Sequence, residues 1–189
     1  ELKTIDDLLD PKWKGKIVTS DLVQGYIYTP STVLRETKGE AWLRKLFVDQ
    51  EPQIVRDRRQ AIETLVRGGA PIGFGLHPVV MGDFVRDGLA GHIKNPDVEG
   101  GTYGGGDVIA IYNKAPHPAA AKLYINWLLT KAGQAAHSAA VGQNSARLDV
   151  PVVDPATAPA PGSEVTDPSN EEWISRNAET QEFLKGLRG

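Results

Sequence analysis

Apolar residues along this chain gather in short blocks, and the spacing inside the blocks switches between two kinds. Four blocks are compact: Lys16-Ile17-Val18-Thr19, Gln53-Ile54-Val55, Pro71 to Leu76, and Asp107 to Tyr112, which carries Val108, Ile109, Ala110 and Ile111 in succession. Runs of this length predict strands, and an unbroken apolar run such as 107–112 predicts a buried one. His92-Ile93-Lys94 is a weaker strand of the same kind. Other blocks repeat at helical spacing. Gly25 to Thr37 brings Val33 and Leu34 to the core and ends at Gly39. Ala41 to Val48 presents Trp42, Leu43, Leu46 and Phe47 before Pro52. Gln60 to Val66 presents Ile62, Leu65 and Val66 before Gly68-Gly69, and Val79 to Arg86 closes at Gly88. Pro118 opens a strongly apolar helix to Leu129, where a proline in the first turn costs no hydrogen bond. Helices are also predicted over Lys131 to Ala140 and Glu171 to Leu187, the latter amphipathic through Trp173, Ile174, Phe183 and Leu187. Near the start, Thr4 caps a short turn that holds Asp6 and Asp7 at its positive end and stops at Pro11.

Strands alternating with helices predict an α/β fold with a mainly parallel sheet flanked by helices. Gly100 to Gly106 carries five glycines and is expected to connect structural units. Residues 151–170 are proline-rich without apolar periodicity and are expected to form an extended tail. No internal repeat is visible.

The composition narrows the function classes. With 40% hydrophobic and 24% charged residues the chain is of ordinary globular type, and its formal net charge of -3 argues against a nucleic-acid partner. No apolar run approaches the roughly 18 residues of a membrane span. The absence of cysteine removes disulfides, thiolate nucleophiles and cysteine-ligated metals. The sequence opens on Glu1 without a leader peptide, which suggests a processed start or a piece of a longer protein. A serine-hydrolase elbow is missing. His77, His92, His117 and His137 are scattered with no pair at three or four residues' separation, so no histidine metal motif is formed. The glycine run precedes a strand and lacks the Lys-Ser/Thr of a phosphate loop. No catalytic residue, metal or cofactor is expected.

Two helix starts carry the ligand chemistry. In parallel α/β sheets ligands collect at the carboxyl ends of strands, over helix N-termini whose free N–H groups favour an anion. One such place is Ser20-Asp21 followed by Gln24, Gly25 and Tyr26, where Gly25 permits close backbone approach. The other is Arg56-Asp57 followed by Arg58 and Arg59, either of which can clamp a carboxylate or phosphate. The competing reading leaves both arginines solvated or paired with Asp57 and Glu63. Tyr26, Tyr28 and Tyr103 are candidates to cover a ligand, with core packing the alternative for Tyr28.

Leu8-Leu9-Asp10-Pro11-Lys12-Trp13-Lys14-Gly15-Lys16-Ile17 resembles the start of the second lobe in type 2 periplasmic solute-binding proteins of ABC transporters, the ferric-iron and small-solute branch. Lys38 to Leu46, Gln60 to Gly73, Gly104 to Pro118, Ala120 to Leu129, Gly133-Gln134-Ala135 and Ser145 to Val150 resemble later parts of the family in the same order. The resemblance implies a type II lobe plus a partial second lobe, with 1–97 as lobe two, 98–150 as the return into lobe one, and 151–189 as a tail with a C-terminal helix. It implies export to the periplasm or cell exterior, a small polar or anionic ligand, and a membrane permease as partner. A sensing module without transport is the alternative. Gln24, Gly25, Tyr26, Arg58 and Arg59 occupy positions that line the cleft in relatives. Iron-binding members carry adjacent tyrosines where this chain has Leu76-His77-Pro78-Val79-Val80, so iron would need other ligands here. The first part of lobe one is expected to be missing, leaving Leu123, Trp127 and Leu128 partly uncovered and the chain open to self-association.

Overall fold

The computed structural model describes residues 2–23, 27–76, 78–94, 96, 98–100, 109–155, 158 and 171–187. The chain divides into two units, residues 1–105 with 164–189, and residues 106–163.

The first unit is built on a parallel sheet in the order β2-β1-β3, with β1 Ile17–Ser20, β2 Gln53–Val55 and β3 Ile72–Phe74. Helices α1 (Tyr28–Lys38) and α2 (Glu40–Arg44) connect β1 to β2, α3 (Arg58–Val66) connects β2 to β3, and α4 (Pro78–Arg86) follows β3. The central strand is buried throughout because both its faces are covered. Ile17 packs with Leu34, Leu43, Leu46 and Phe47, whereas Val18 packs with Ala61 of α3 and with Ala70. Alternate residues of one strand thus serve opposite layers, which is why the run reads as continuously apolar. On β3, Ile72 and Phe74 join the first layer. Gly73 faces the second, where a Cβ would collide with Leu76 and stand 3.0 Å from Leu65.

Local chemistry sets the element ends. The Asp7 carboxylate accepts the Thr4 and Lys3 N–H groups at 2.9 and 2.7 Å, fixing a 3₁₀ turn at Ile5–Leu9. Pro11 does more than stop it, since it opens a second 3₁₀ turn, Pro11–Trp13. Gly39 and Gly68, at φ 83° and 74°, adopt backbone conformations that side chains disfavour. The expected single helix over 41–48 is instead α2 running into a π turn at Lys45–Asp49, marked by the Gln50 N–H donating 2.9 Å to the Lys45 carbonyl. The expected strand at 92–94 is a turn in which Ile93 N–H donates to Ala90 O and its side chain packs beside Ile62 and Phe84.

The chain's last helix also belongs to this unit. A 3₁₀ turn, Glu171–Trp173, leads into α5 (Ile174–Gly186), which lies along α1. Its inward stripe is Trp173, Asn177, Thr180 and Leu184, so Ile174, expected inside, is 64% exposed while Leu184 is fully buried in the main core. Phe183 lies under the guanidinium groups of Arg35 and Arg44.

In the second unit, α6 (Pro118–Leu128) and α7 (Lys131–Val141) are joined by Thr130, whose hydroxyl accepts the Gly133 N–H at 3.0 Å. The Asn144 side chain accepts the Val153 and Asp154 N–H groups and donates to the Asp154 carbonyl, pinning the start of the proline-rich segment. Arg147 grips Asp149 with two bonds of 2.9 Å, which holds that carboxyl below its usual range. The expected buried strand 107–112 is not found over residues 109–112, which are exposed and irregular. A strand needs a ladder partner for its N–H and C=O groups, and none is present among the described residues. Most of the expected glycine connection and tail falls outside the described residues. No helix among the described residues is long and apolar enough to cross a membrane.

Candidate functional site

Because the three strands are parallel and in register, they end level. Ser20 pairs with Val55, and Thr19 with Phe74. The next residues along each chain path, Asp21, Arg56 and Gly75, therefore stand at the same edge, and α1, α3 and α4 all begin there. This is the edge at which parallel sheets present ligands.

At the central strand, Asp21 is only 4% exposed, and its carboxylate accepts the Val23 N–H at 2.9 Å. That short turn starts the loop to α1. Leu22 and Ile27 anchor the loop on both sides, each almost wholly buried. Gly75, at φ 62°, lies so close to Ile27 that a Cβ there would overlap its side chain. A larger residue at 75 would push apart the β1 and β3 ends of the edge. At β2, Asp57 caps α3 by accepting the Gln60 N–H at 3.0 Å. The first N–H groups of α3 are left facing outward, as at any helix start.

A model of the bacterial extracellular solute-binding protein family matches residues 3–135, more than half of the chain. The chain belongs to that family. The binding-protein chain is also similar to a solved structure titled Bordetella ferric binding protein, at 18% identity and a TM-score of 0.70, over 100% of this chain and 63% of that one. At that identity the likeness establishes the periplasmic-binding-protein fold, and the chain spans 63% of the neighbour's length. No curated protein matches the sequence.

Of the residues singled out in this solute-binding chain, Gln24, Gly25 and Tyr26 lie outside the described residues, as do His77 and Tyr103. Tyr28 is half-buried against the main core. Arg58 and Arg59 both stand at the carboxyl edge of the sheet but differ. Arg59 is held by Glu63 at 3.2 Å and lies over the Phe84 ring at 4.9 Å. Arg58, the first residue of α3, is exposed with no hydrogen-bond or ion-pair partner among the described residues. Arg56 is a further exposed cation at the edge, also without such a partner. Its position on the last step out of β2 was visible in the sequence, but attention to the helix start passes over it. Among the described residues, no group of three or more His, Asp or Glu side chains converges to hold a metal ion.

Proposed function

We propose that this chain is the ligand-capturing component of an ABC importer, exported to the periplasm or cell exterior, and that it binds a small polar or anionic solute without chemical change. Ligand is taken at the carboxyl edge of the sheet by residues 24–26, the start of α3, and Arg58, with Arg59 contributing through its place beside Glu63. The observation that carries the reading is the pair Arg56 and Arg58, two guanidinium groups without a partner among the described residues, flanking a helix start whose capping residue is already used. Guanidinium groups so placed recognise carboxylate or phosphate oxygens through paired N–H donors. The neighbour's title names ferric iron, but positions 76–80 here hold no tyrosine pair, which favours an anion over the metal.

In this reading residues 98–150 return the chain to a first lobe, and the apolar face of α6 is covered by further polypeptide of that lobe or by a second copy. The family match and the uncovered side chains of Leu123 and Trp127 support it. Docking of the closed lobes on a membrane permease completes the transport cycle.

The test is an NMR titration of the isotopically labelled chain with inorganic phosphate, sulfate and citrate. Saturable shifts at residues 56–60 for at least one of them, weakened about tenfold in Arg58→Ala, support the reading, a loss equivalent to about 1.4 kcal/mol. Equal binding by the variant, or no response to any of the three, overturns the anion assignment.

A further inference from the structure

The connection from β1 to α1 is held at its two ends by different means. At its start, the Asp21 carboxylate accepts the Val23 N–H at 2.9 Å, and Leu22 is buried. At its end stands Ile27, the capping residue of α1, whose carbonyl accepts the Ser31 N–H at 3.2 Å. Isoleucine has no side-chain oxygen to offer a helix start and is among the poorest capping residues. Here it makes no side-chain cap bond, in contrast to Asp57 at the start of α3. Packing therefore fixes where α1 begins.

That packing is close. Ile27 has no exposed surface. A Cβ on Gly75 would stand 2.2 Å from Ile27 Cδ1, 3.5 Å from Cγ1 and 3.8 Å from Cα. The start of α1 thus lies against the exit of β3 with both its side chain and its backbone. Only glycine leaves that space and also adopts φ 62° without strain. In the sheet order β2-β1-β3, the exits of β2 and β3 flank the central strand. The contact therefore holds Ile27 on the β3 side, while Arg56 and Arg58 stand on the β2 side.

We propose that Gly75 is a positioning residue for the solute site: by seating Ile27 against the exit of β3, it holds the start of α1 clear of Arg56 and Arg58, so that one anion can reach both guanidinium groups. The role rests on the reading above that the carboxyl edge takes an anion. A side chain at 75 displaces Ile27, and the start of α1 moves with it, because no side-chain cap holds that start independently. Gly73, two residues earlier, is similarly crowded, but a Cβ there would stand 2.4 Å from Leu76 Cδ1 and 3.0 Å from Leu65, in the layer of Val18 and Ala61. A change at 73 disturbs the packing under α3 and leaves Ile27 in place.

The experiment is an NMR titration with phosphate, sulfate and citrate of the full labelled chain and four variants: Gly75→Ala, Gly73→Ala, Ile27→Val, and Gly75→Ala combined with Ile27→Val, which removes the Cδ1 that the added methyl group would strike. Amide signals of Ile27, Tyr28, Thr29 and Ser31 and the urea midpoint are followed for each. For the anion that the parent binds most tightly, Gly75→Ala should be weaker by about fivefold or more, with shifted signals at those amides. In the Ile27→Val background the same change should cost no more than about twofold, while the strain of a side chain at positive φ still lowers the urea midpoint. Gly73→Ala should lower the urea midpoint and stay within about twofold of the parent's affinity. Equal losses of affinity from Gly73→Ala and Gly75→Ala overturn the proposal, since general destabilisation then explains both. Unchanged affinity in Gly75→Ala, no rescue by Ile27→Val, or failure of Gly75→Ala to fold in both backgrounds also overturns it. If Gly75→Ala folds only with Ile27→Val, parent-like affinity of the double variant supports the role and weak affinity overturns it. A parent that binds none of the three anions overturns the reading above and this role with it, whereas a parent that binds confines any failure to the role of Gly75.

Discussion

Helices α5 and α6 have similar lengths and opposite fates. α6 spans 11 residues and includes Leu123, Tyr124, Ile125, Trp127 and Leu128, yet none of its residues is buried. α5 spans 13 residues, reads as mostly polar, and supplies Leu184 to the main core with no exposed surface. Apolar content states only how much surface a helix could bury. Whether it does so depends on a partner with a matching face, and α1 provides that partner for α5 through Leu34 and the Arg35–Glu179 pair at 3.2 Å. For α6, the described residues provide none beyond α7.

The largest effect that would break this comparison is on stability. Leu184→Ala removes a fully buried side chain and should cost about 2–5 kcal/mol by urea unfolding. Leu123→Ala, at a residue 73% exposed, should fall within about 0.5 kcal/mol. If the two variants unfold alike, either α5 is not docked on α1 in solution or α6 is covered by a partner. A second arm separates those outcomes. Leu123→Ser with Trp127→Ser should lower sedimentation-detected association or apolar-dye binding while the urea midpoint stays in place. Unchanged association would mean that this face holds no second copy.

The same contrast explains how much was legible in the sequence. The strands around Ile17 and Ile72 and the helices between them are predictable because their apolar side chains are covered inside their own unit, so pattern and packing agree, whereas β2 is legible from its run alone, with Ile54 38% exposed. Residues 109–112 read as a buried strand because Ile109 and Ile111 are apolar, but a ladder needs a second chain path that periodicity does not reveal. α5 was placed but rotated. Asn177 and Thr180 sit within its inward stripe and dilute the apolar signal, so the pattern points Ile174 inward in place of Leu184. The π turn at Lys45–Asp49 has no signature in spacing, since Trp42, Leu43, Leu46 and Phe47 fit a plain helix equally well. At the carboxyl edge of the sheet, Arg58 and Arg59 are singled out in the sequence by the rule that ligands sit over helix starts. Their difference is not, because Phe84, which takes up Arg59, comes from α4.

That difference sharpens the comparison at the level of single side chains. Arg59→Ala should lower stability by about 0.5–1 kcal/mol, from an exposed pair and a ring contact, and change anion affinity less than Arg58→Ala does. Arg58→Ala should leave the urea midpoint in place. The reverse order in affinity would mean that Arg59 leaves Glu63 to grip the ligand.

The smallest expected effect is on pH dependence. Asp6 accepts from Lys38 Nζ at 2.8 Å and from the Trp42 indole at 2.7 Å, and the Lys38 hydrogen bond, aided by the indole, holds its carboxyl below the usual range. A carboxylate whose folded value lies below its unfolded value stabilises the fold at pH above the unfolded value. That contribution is lost as pH falls through the folded value. The loss therefore lies on the acid side of the ordinary carboxylate range, and the exposure of the pair keeps it small. Asp6→Asn keeps an acceptor for the indole and discards the charge. Its melting temperature should sit slightly below the parent's at neutral pH, and the two curves should converge as the pH becomes strongly acidic. Parallel curves over the whole range would assign the acid sensitivity elsewhere, with Asp7, whose carboxyl is lowered by the Thr4 and Lys3 N–H groups, as the next residue to vary.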